Sequence, residues 1–224
     1  MTKRLDGQRV VVTQSDTFMG PDIEAIFAEH GAAVIADARD LTEPAAARDL
    51  IAEAGHVDVL VANLAAVNPK KPAHETTDEE FRDMFAVMVD PLHRLVGAVL
   101  PQMIERRRGK IVVMGSASAL RGMVNWSAYS SARGAQLAYV QAVGVEVAPH
   151  NIQINAMAQS FVENPSYFSP EYVATDDFKK RLESVPAGRL ATGREDALLA
   201  LFLASDESDF LVGQVFPFAG GWAV

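Results

Sequence analysis

The sequence predicts a single α/β domain over residues 1–224, a doubly wound parallel sheet with helices on both faces. Three observations carry this. Strand-length apolar runs alternate with segments of helical spacing from one end of the chain to the other. The runs are continuously apolar rather than alternating, as strands buried on both faces must be. A length of 224 residues suits one such domain with a full core, and no repeat, low-complexity tract or interdomain linker interrupts it.

The elements follow in order. Residues 9–13 (Arg-Val-Val-Val-Thr) read as a first buried strand. Residues 21–30 place Ile23, Ile26 and Phe27 on one helical face, and Gly31 stops the helix. Residues 33–37 form a second strand, and Thr42-Glu43-Pro44 starts a helix that runs to Ala54, before Gly55. Residues 57–63 are a third strand. Thr77-Asp78-Glu79-Glu80 reads as a helix cap before residues 81–89, and a long helix follows over 91–107. Residues 110–115, 128–147 and 152–156 continue as strand, helix and strand. Residues 198–204 are helical and 214–218 are the last strand. The cluster Arg106-Arg107-Arg108 falls at a helix end, where cations suit the dipole, and is read as a solvated cap.

The composition narrows the function classes. The net charge is −9 and the pI about 5.0, which argues against non-specific nucleic-acid or anionic-membrane partners. There is no cysteine, so neither a disulfide framework nor thiolate chemistry is expected. Residues 1–8 lack the apolar core of a signal peptide, and the longest apolar runs look strand-length. A cytoplasmic protein without a membrane span is the expectation. His30, His56, His74, His93 and His150 are scattered with no ligand spacing, so no metal site is expected.

The chemistry centres on Tyr129-Ser130-Ser131-Ala132-Arg133, with Ser116 thirteen residues upstream. On a helix, positions i and i+4 share a face, so Tyr129 and Arg133 point the same way. A permanent cation beside a phenol favours the phenolate. Ser116 closes the apolar run 111–115 and therefore sits at a strand end. A serine there, facing a Tyr/Arg pair, makes a base plus a hydrogen-bond donor for a hydroxyl or carbonyl oxygen. Ser118, Ser127, Ser130 and Ser131 compete for the serine role, but only Ser116 combines the strand end with the spacing.

That spacing resembles the Ser…Tyr-x-x-x-Lys set of the short-chain dehydrogenases/reductases, with Arg133 where lysine belongs, and the resemblance implies a Rossmann-like fold. These enzymes carry Thr-Gly-x-x-x-Gly-x-Gly after the first strand. Here the segment reads Thr13-Gln14-Ser15-Asp16-Thr17-Phe18-Met19-Gly20, and only the last glycine remains. The first glycine makes the tight turn and the second lets a pyrophosphate approach. Phe18 would fill that space and Asp16 would repel phosphate. The Asn-Ala-Gly element reads Asn63-Leu64-Ala65, the helical Asn aligns with Met88, and the Pro-Gly pair bordering the nicotinamide reads Gln159-Ser160. Asp37 alone stays compatible with a ribose contact, and it reads more simply as an exposed loop carboxylate.

A dehydrogenase scaffold with Ser-Tyr-Arg and an aromatic in place of the glycine loop resembles the halohydrin dehalogenases. The segment 164–170, with Tyr167-Phe168, the stretch 188–196 and the end 219–224 resemble the same family, especially its B-type members. The resemblance implies a carbon–halide lyase that needs no nicotinamide. Tyr129 would take the proton of a vicinal halohydrin's hydroxyl, Ser116 would hold the oxygen, and Arg133 would support the phenolate. The oxygen displaces halide and an epoxide forms; small anions would open epoxides in reverse. The implied halide and substrate site comprises Phe18, Gln159, Ser160, Phe161, Val162, Tyr167 and Phe168. Met123 and Trp126 line the substrate pocket or an interface. The partners implied are halohydrins, epoxides and halide, in a homotetramer built through two long helices. Two other classes stand beside this: an NAD(P)-dependent oxidoreductase with an unusual loop, and a non-catalytic homologue.

Overall fold

The computed structural model describes residues 3–224. Six strands form one all-parallel sheet: β1 (Arg9–Thr13), β2 (Ala33–Asp37), β3 (Val59–Ala62), β4 (Gly109–Ser116), β5 (Ile152–Gln159) and β6 (Val215–Phe218). Their order is β2-β1-β3-β4-β5-β6. The chain therefore winds outward in both directions from β1, and the switch point lies between β1 and β3. Ligands of such sheets bind in the crevice beyond the carboxyl ends of the strands at that point.

Successive residues of a strand face opposite sides, and the core divides accordingly. Val11, Leu60, Ile111, Val113 and Ile154 meet α2 (Ala46–Ala54), α4 (Asp90–Arg106) and α5 (Ser127–Val147). Val10, Val12, Val61, Val112 and Met114 meet α1 (Gly20–Glu29) and α8 (Gly193–Ala204). Both faces of the central strands are covered, which is why the runs show no alternation.

Helix starts follow local chemistry. α3 (Asp78–Met88) opens on a reciprocal capping box between Thr77 and Glu80, as its sequence predicts. α8 opens on a second one, Thr192 with Glu195, and so begins five residues before the predicted 198. α2 starts at Ala46 because Asp40 instead ties the Thr42 amide and hydroxyl into a turn. β5 runs on to Gln159, three residues past its predicted end. Two short helices, α6 (Pro170–Val173) and α7 (Asp176–Leu182), follow in a segment for which no helix is predicted.

Three other expectations change. By length and hydropathy, the run Asp78–Arg106 would pass as a membrane-crossing helix, although the apolar runs look strand-length in sequence. It consists of α3 and α4, which meet at Val89 and pack against α5 and the sheet. Of the arginine cluster, Arg107 and Arg108 are exposed at the end of α4 as expected, donating to the Pro149 carbonyl and pairing with Asp206, but Arg106 is half-buried and donates to the Val57 carbonyl. Asp37 is buried at the end of β2 and not exposed, because Arg39 donates to its carboxylate through Nε (2.6 Å).

Candidate active site

A cavity of about 120 Å³ lies beyond the carboxyl ends of the central strands. All twelve residues singled out in the sequence line it. Phe18 comes from the β1–α1 loop and Ser116 from the end of β4. Tyr129 and Arg133 come from the first two turns of α5. Gln159 ends β5 opposite Ser116 in register, and Ser160, Phe161 and Val162 follow it. Asn164 Oδ1 accepts from the Ser166 and Tyr167 amides (2.9 and 3.3 Å), which turns Tyr167 and Phe168 inward. Met123 and Trp126 close the near wall, with the Trp126 ring edge-on to Tyr129 at 5.2 Å.

Tyr129 is buried, and its hydroxyl lies 3.3 Å from that of Tyr167. Tyr167 donates its own proton to the Ala66 carbonyl (2.8 Å). Burial first, and then the neighbouring Tyr129, push the Tyr167 phenol well above its ordinary range, against the pull of Arg133. Tyr167 thus remains a phenol and a donor. Arg133 is 2% exposed, and its guanidinium sits 5.1 Å from the centre of the Tyr129 ring. Nη1 faces the Leu64 and Met114 carbonyls and Gln136 Oε1 at 2.8–2.9 Å, which fixes the charge beneath the tyrosine. Burial works against that charge, but Tyr129 and Tyr167 outweigh it and raise the Arg133 pKa. Ser116 Oγ lies 3.0 Å from Ser118 Oγ and accepts from the Ser118 amide, so Ser118 holds the Ser116 rotamer.

The loop after β1 keeps the backbone of a glycine loop without its glycines. Gln14 (φ 43°) and Phe18 (φ 52°) adopt the left-handed conformation that glycine takes without penalty. Each side chain there costs roughly 1–2 kcal/mol. Contacts offset this. The Gln14 amide accepts from Ala65 N (2.8 Å) and donates to Ala65 O (3.2 Å). Asn63 donates to the Gln14 and Thr17 carbonyls (2.9 and 3.1 Å). The Phe18 ring packs on Tyr167 at 5.3 Å, joining the β1 loop to the segment after β5. Within this loop Gly20 is sterically required, since a Cβ there would collide with the Ser15 carbonyl. The turn that would cradle the pyrophosphate carries the Gln14 and Phe18 side chains, and the Asp37 carboxylate is occupied by Arg39.

Sequence reading misses Asn68 and Arg181 as wall residues and weighs Ser118 only as a rival to Ser116. Ser118, Asn68 and Arg181 line the cavity, and the Arg181 guanidinium lies over Phe161 (5.3 Å) and Phe168 (5.8 Å). Arg181 comes from α7, thirteen residues after Phe168, with no motif to mark it.

Comparison with known proteins places this site in a family. The family model described as enoyl-(acyl carrier protein) reductase matches residues 4–223. A 2-keto-3-deoxy-L-fuconate dehydrogenase of Xanthomonas campestris is 31% identical over 245 residues, covering 98% of this chain and 81% of that protein. The chain belongs to the short-chain dehydrogenase/reductase family, a family of enzymes. Two solved structures superpose with TM-scores of 0.90. One is described as a dehalogenation enzyme, 32% identical, with 98% of this chain and 100% of that one covered. The other is a gluconate 5-dehydrogenase from Burkholderia cenocepacia in complex with NADP and tartrate, 27% identical, with 98% and 96% covered.

Proposed function

We propose that this enzyme is a halohydrin dehalogenase, a cofactor-independent carbon–halide lyase. One observation carries the reading: the glycine-loop space is filled by Gln14 and Phe18 while Ser116, Tyr129 and Arg133 stay together at the cavity. Ser116 donates to the hydroxyl oxygen of a vicinal halohydrin, and Tyr129 as phenolate accepts that hydroxyl's proton. The oxygen forms a bond to the adjacent carbon as the carbon–halogen bond breaks, and the electron pair leaves with the halide. Arg133, fixed by three acceptors, stabilises the phenolate, and Tyr167 turns its proton from Ala66 to the same oxygen. General-base catalysis of this type contributes on the order of 10²–10⁴-fold. The growing charge on the halogen is met by the backbone amides of Phe161 and Val162, the Ser160 amide being engaged by the Phe218 carbonyl (3.0 Å), and by the ring edges of Phe18 and Phe168. A cavity near 120 Å³ suits a small substrate, since roughly 150 Å³ holds a benzene. In reverse, Tyr129 protonates an epoxide opened by a small anion. We take the working form to be a homotetramer assembled through α4 and α5, and the compartment to be the cytoplasm.

A second reading is an NAD(P)-dependent oxidoreductase acting on a hydroxyl or carbonyl, and the comparisons weigh toward it. Curated relatives are dehydrogenases and reductases, and one structural neighbour holds NADP. The geometry of the β1 loop and Arg133 weighs toward the first. Incubation of the pure enzyme with a bromohydrin separates them. Bromide release without nucleotide is the expected result; no bromide, with nucleotide-dependent oxidation of an alcohol, establishes the second reading instead.

A further inference from the structure

The charge on the cavity wall exceeds what the reaction above uses. The chain carries 29 acidic residues against 20 basic ones, yet the wall holds Lys70, Arg133 and Arg181 and no aspartate or glutamate. Asp196 of α8 lies behind the wall, fully buried, and the side-chain amide of Gln159 donates to its carboxyl. Burial first, and then Asp22, push the Asp196 pKa up to about 8, so it adds little negative charge near neutral pH.

The three cations differ in what they can still offer. Arg133 turns its Nη1 to three acceptors beneath Tyr129. Lys70 is exposed on the segment after β3. Arg181 is half-buried and held in place. Phe178, three residues earlier on the same face of α7, is buried against Phe168 (5.8 Å) and Tyr172 (5.4 Å), which fixes α7 to the wall. The Arg181 guanidinium then rests on the Phe161 and Phe168 rings at 5.3 and 5.8 Å. Nη1 donates to the Tyr172 hydroxyl (3.3 Å). Among the described residues no carboxylate pairs with Arg181, and the rest of its fork meets no protein acceptor. A charged, ordered fork on the wall of a cavity, with its donors unspent, is a binding group for an anion.

We propose that Arg181 is a substrate-binding residue and that the enzyme takes small vicinal halohydrins, and the matching epoxides, that carry a carboxylate. The proposal rests on the dehalogenase reading for the reacting end of the substrate. The hydroxyl lies between Ser116 and Tyr129, and the carboxylate meets the fork of Arg181. A planar fork fits the two oxygens of a carboxylate, whereas a halide ion offers a single centre. The two ring faces keep water from one side of the guanidinium, which strengthens the pair. A cavity of about 120 Å³ keeps the chain between the two ends short.

The test compares bromide release from β-bromolactate and from γ-bromo-β-hydroxybutyrate with release from their neutral amides, at constant ionic strength. Wild type, Arg181→Met and Arg181→Lys are measured. Each acid-to-amide ratio is taken within one variant, so a loss of folded protein cancels. Wild type is expected to favour at least one acid over its amide by about tenfold in kcat/KM, carried by KM. Arg181→Met, which keeps an apolar stem against the rings, is expected to lose that preference, and Arg181→Lys to keep part of it. Equal ratios in wild type and Arg181→Met, or a wild-type preference for both amides, overturn the proposal. Weaker inhibition by free bromide in Arg181→Met, with the acid preference unchanged, also overturns it, since Arg181 then serves the halide. Binding is followed in parallel by the fluorescence of Trp126 and Trp222. Acids that outbind their amides in wild type and not in Arg181→Met, with no bromide released, sink the dehalogenase reading and support the carboxylate site. Neither release nor a binding preference overturns both.

Discussion

At the residue scale, the site depends on neutral and charged groups being held apart by their surroundings. Tyr129 lies between a fixed guanidinium and a second phenol that burial keeps protonated. Tyr129→Phe should therefore lose at least 10²-fold in bromide release while circular dichroism stays that of wild type; near-normal turnover would move the base elsewhere. Arg133→Lys should keep only a fraction of the rate, because the shorter lysine does not carry its ammonium to the place where Nη1 meets its three acceptors. Asp196 gives a stability prediction whose sign is fixed. Its folded pKa of about 8 lies above the ordinary 3.8, so between those values the folded state holds more protons than the unfolded. The stabilisation is complete below about pH 4, falls as pH rises, and is gone above about 8. The span is worth several kcal/mol at about 1.4 kcal/mol per pH unit. Melting temperature should fall from pH 4 to 8 in wild type. Asp196→Asn should remove most of that slope; an unchanged slope would show that Asp196 ionises freely.

At the element scale, the β1 loop and the α8 start show how local chemistry builds the pocket. The β1 loop keeps left-handed backbone at positions 14 and 18 although side chains stand there, because Asn63 and Ala65 clamp the turn. Phe18→Ala should weaken competitive inhibition by bromide several-fold while shifting the melting temperature little, since the ring faces Tyr167 and the cavity. Gly20→Ala should destabilise strongly, because the Ser15 carbonyl it would strike is backbone and cannot rotate away. Thr192→Ala removes the α8 cap and should cost about 1 kcal/mol in denaturant unfolding.

At the scale of the whole molecule, parallel strands collect their carboxyl ends on one edge, and five loops meet there. The two structural neighbours share this frame equally, so the fold does not choose between a lyase and an oxidoreductase. The loops choose. Calorimetric titration with NADH and NADPH should give no heat beyond dilution, because Gln14 and Phe18 hold the space of the pyrophosphate turn. Saturable micromolar binding would return the enzyme to the oxidoreductases. Size-exclusion chromatography with light scattering should give a mass four times 24.2 kDa if α4 and α5 form the interface. A monomer would leave their outer faces without that role.

The halide-site residues were legible only through the family resemblance; the sequence by itself determined the alternation of strands and helices, the two-faced core and the Ser116, Tyr129 and Arg133 set. Each is written in short-range terms: apolar period, cap residues, and an i, i+4 pair behind a strand-end serine. Tertiary structure alone decided how those residues work. Arg133 lies under the Tyr129 ring because the carbonyls of Leu64, just after β3, and of Met114 in β4, together with Gln136, hold it there. Asp37, read as exposed, is buried because Arg39 turns back onto it. Arg181 carries no sequence signal, since it reaches the site from a helix far along the chain. Contacts of that kind depend on which helix the sheet brings beside which loop, and no local pattern records it.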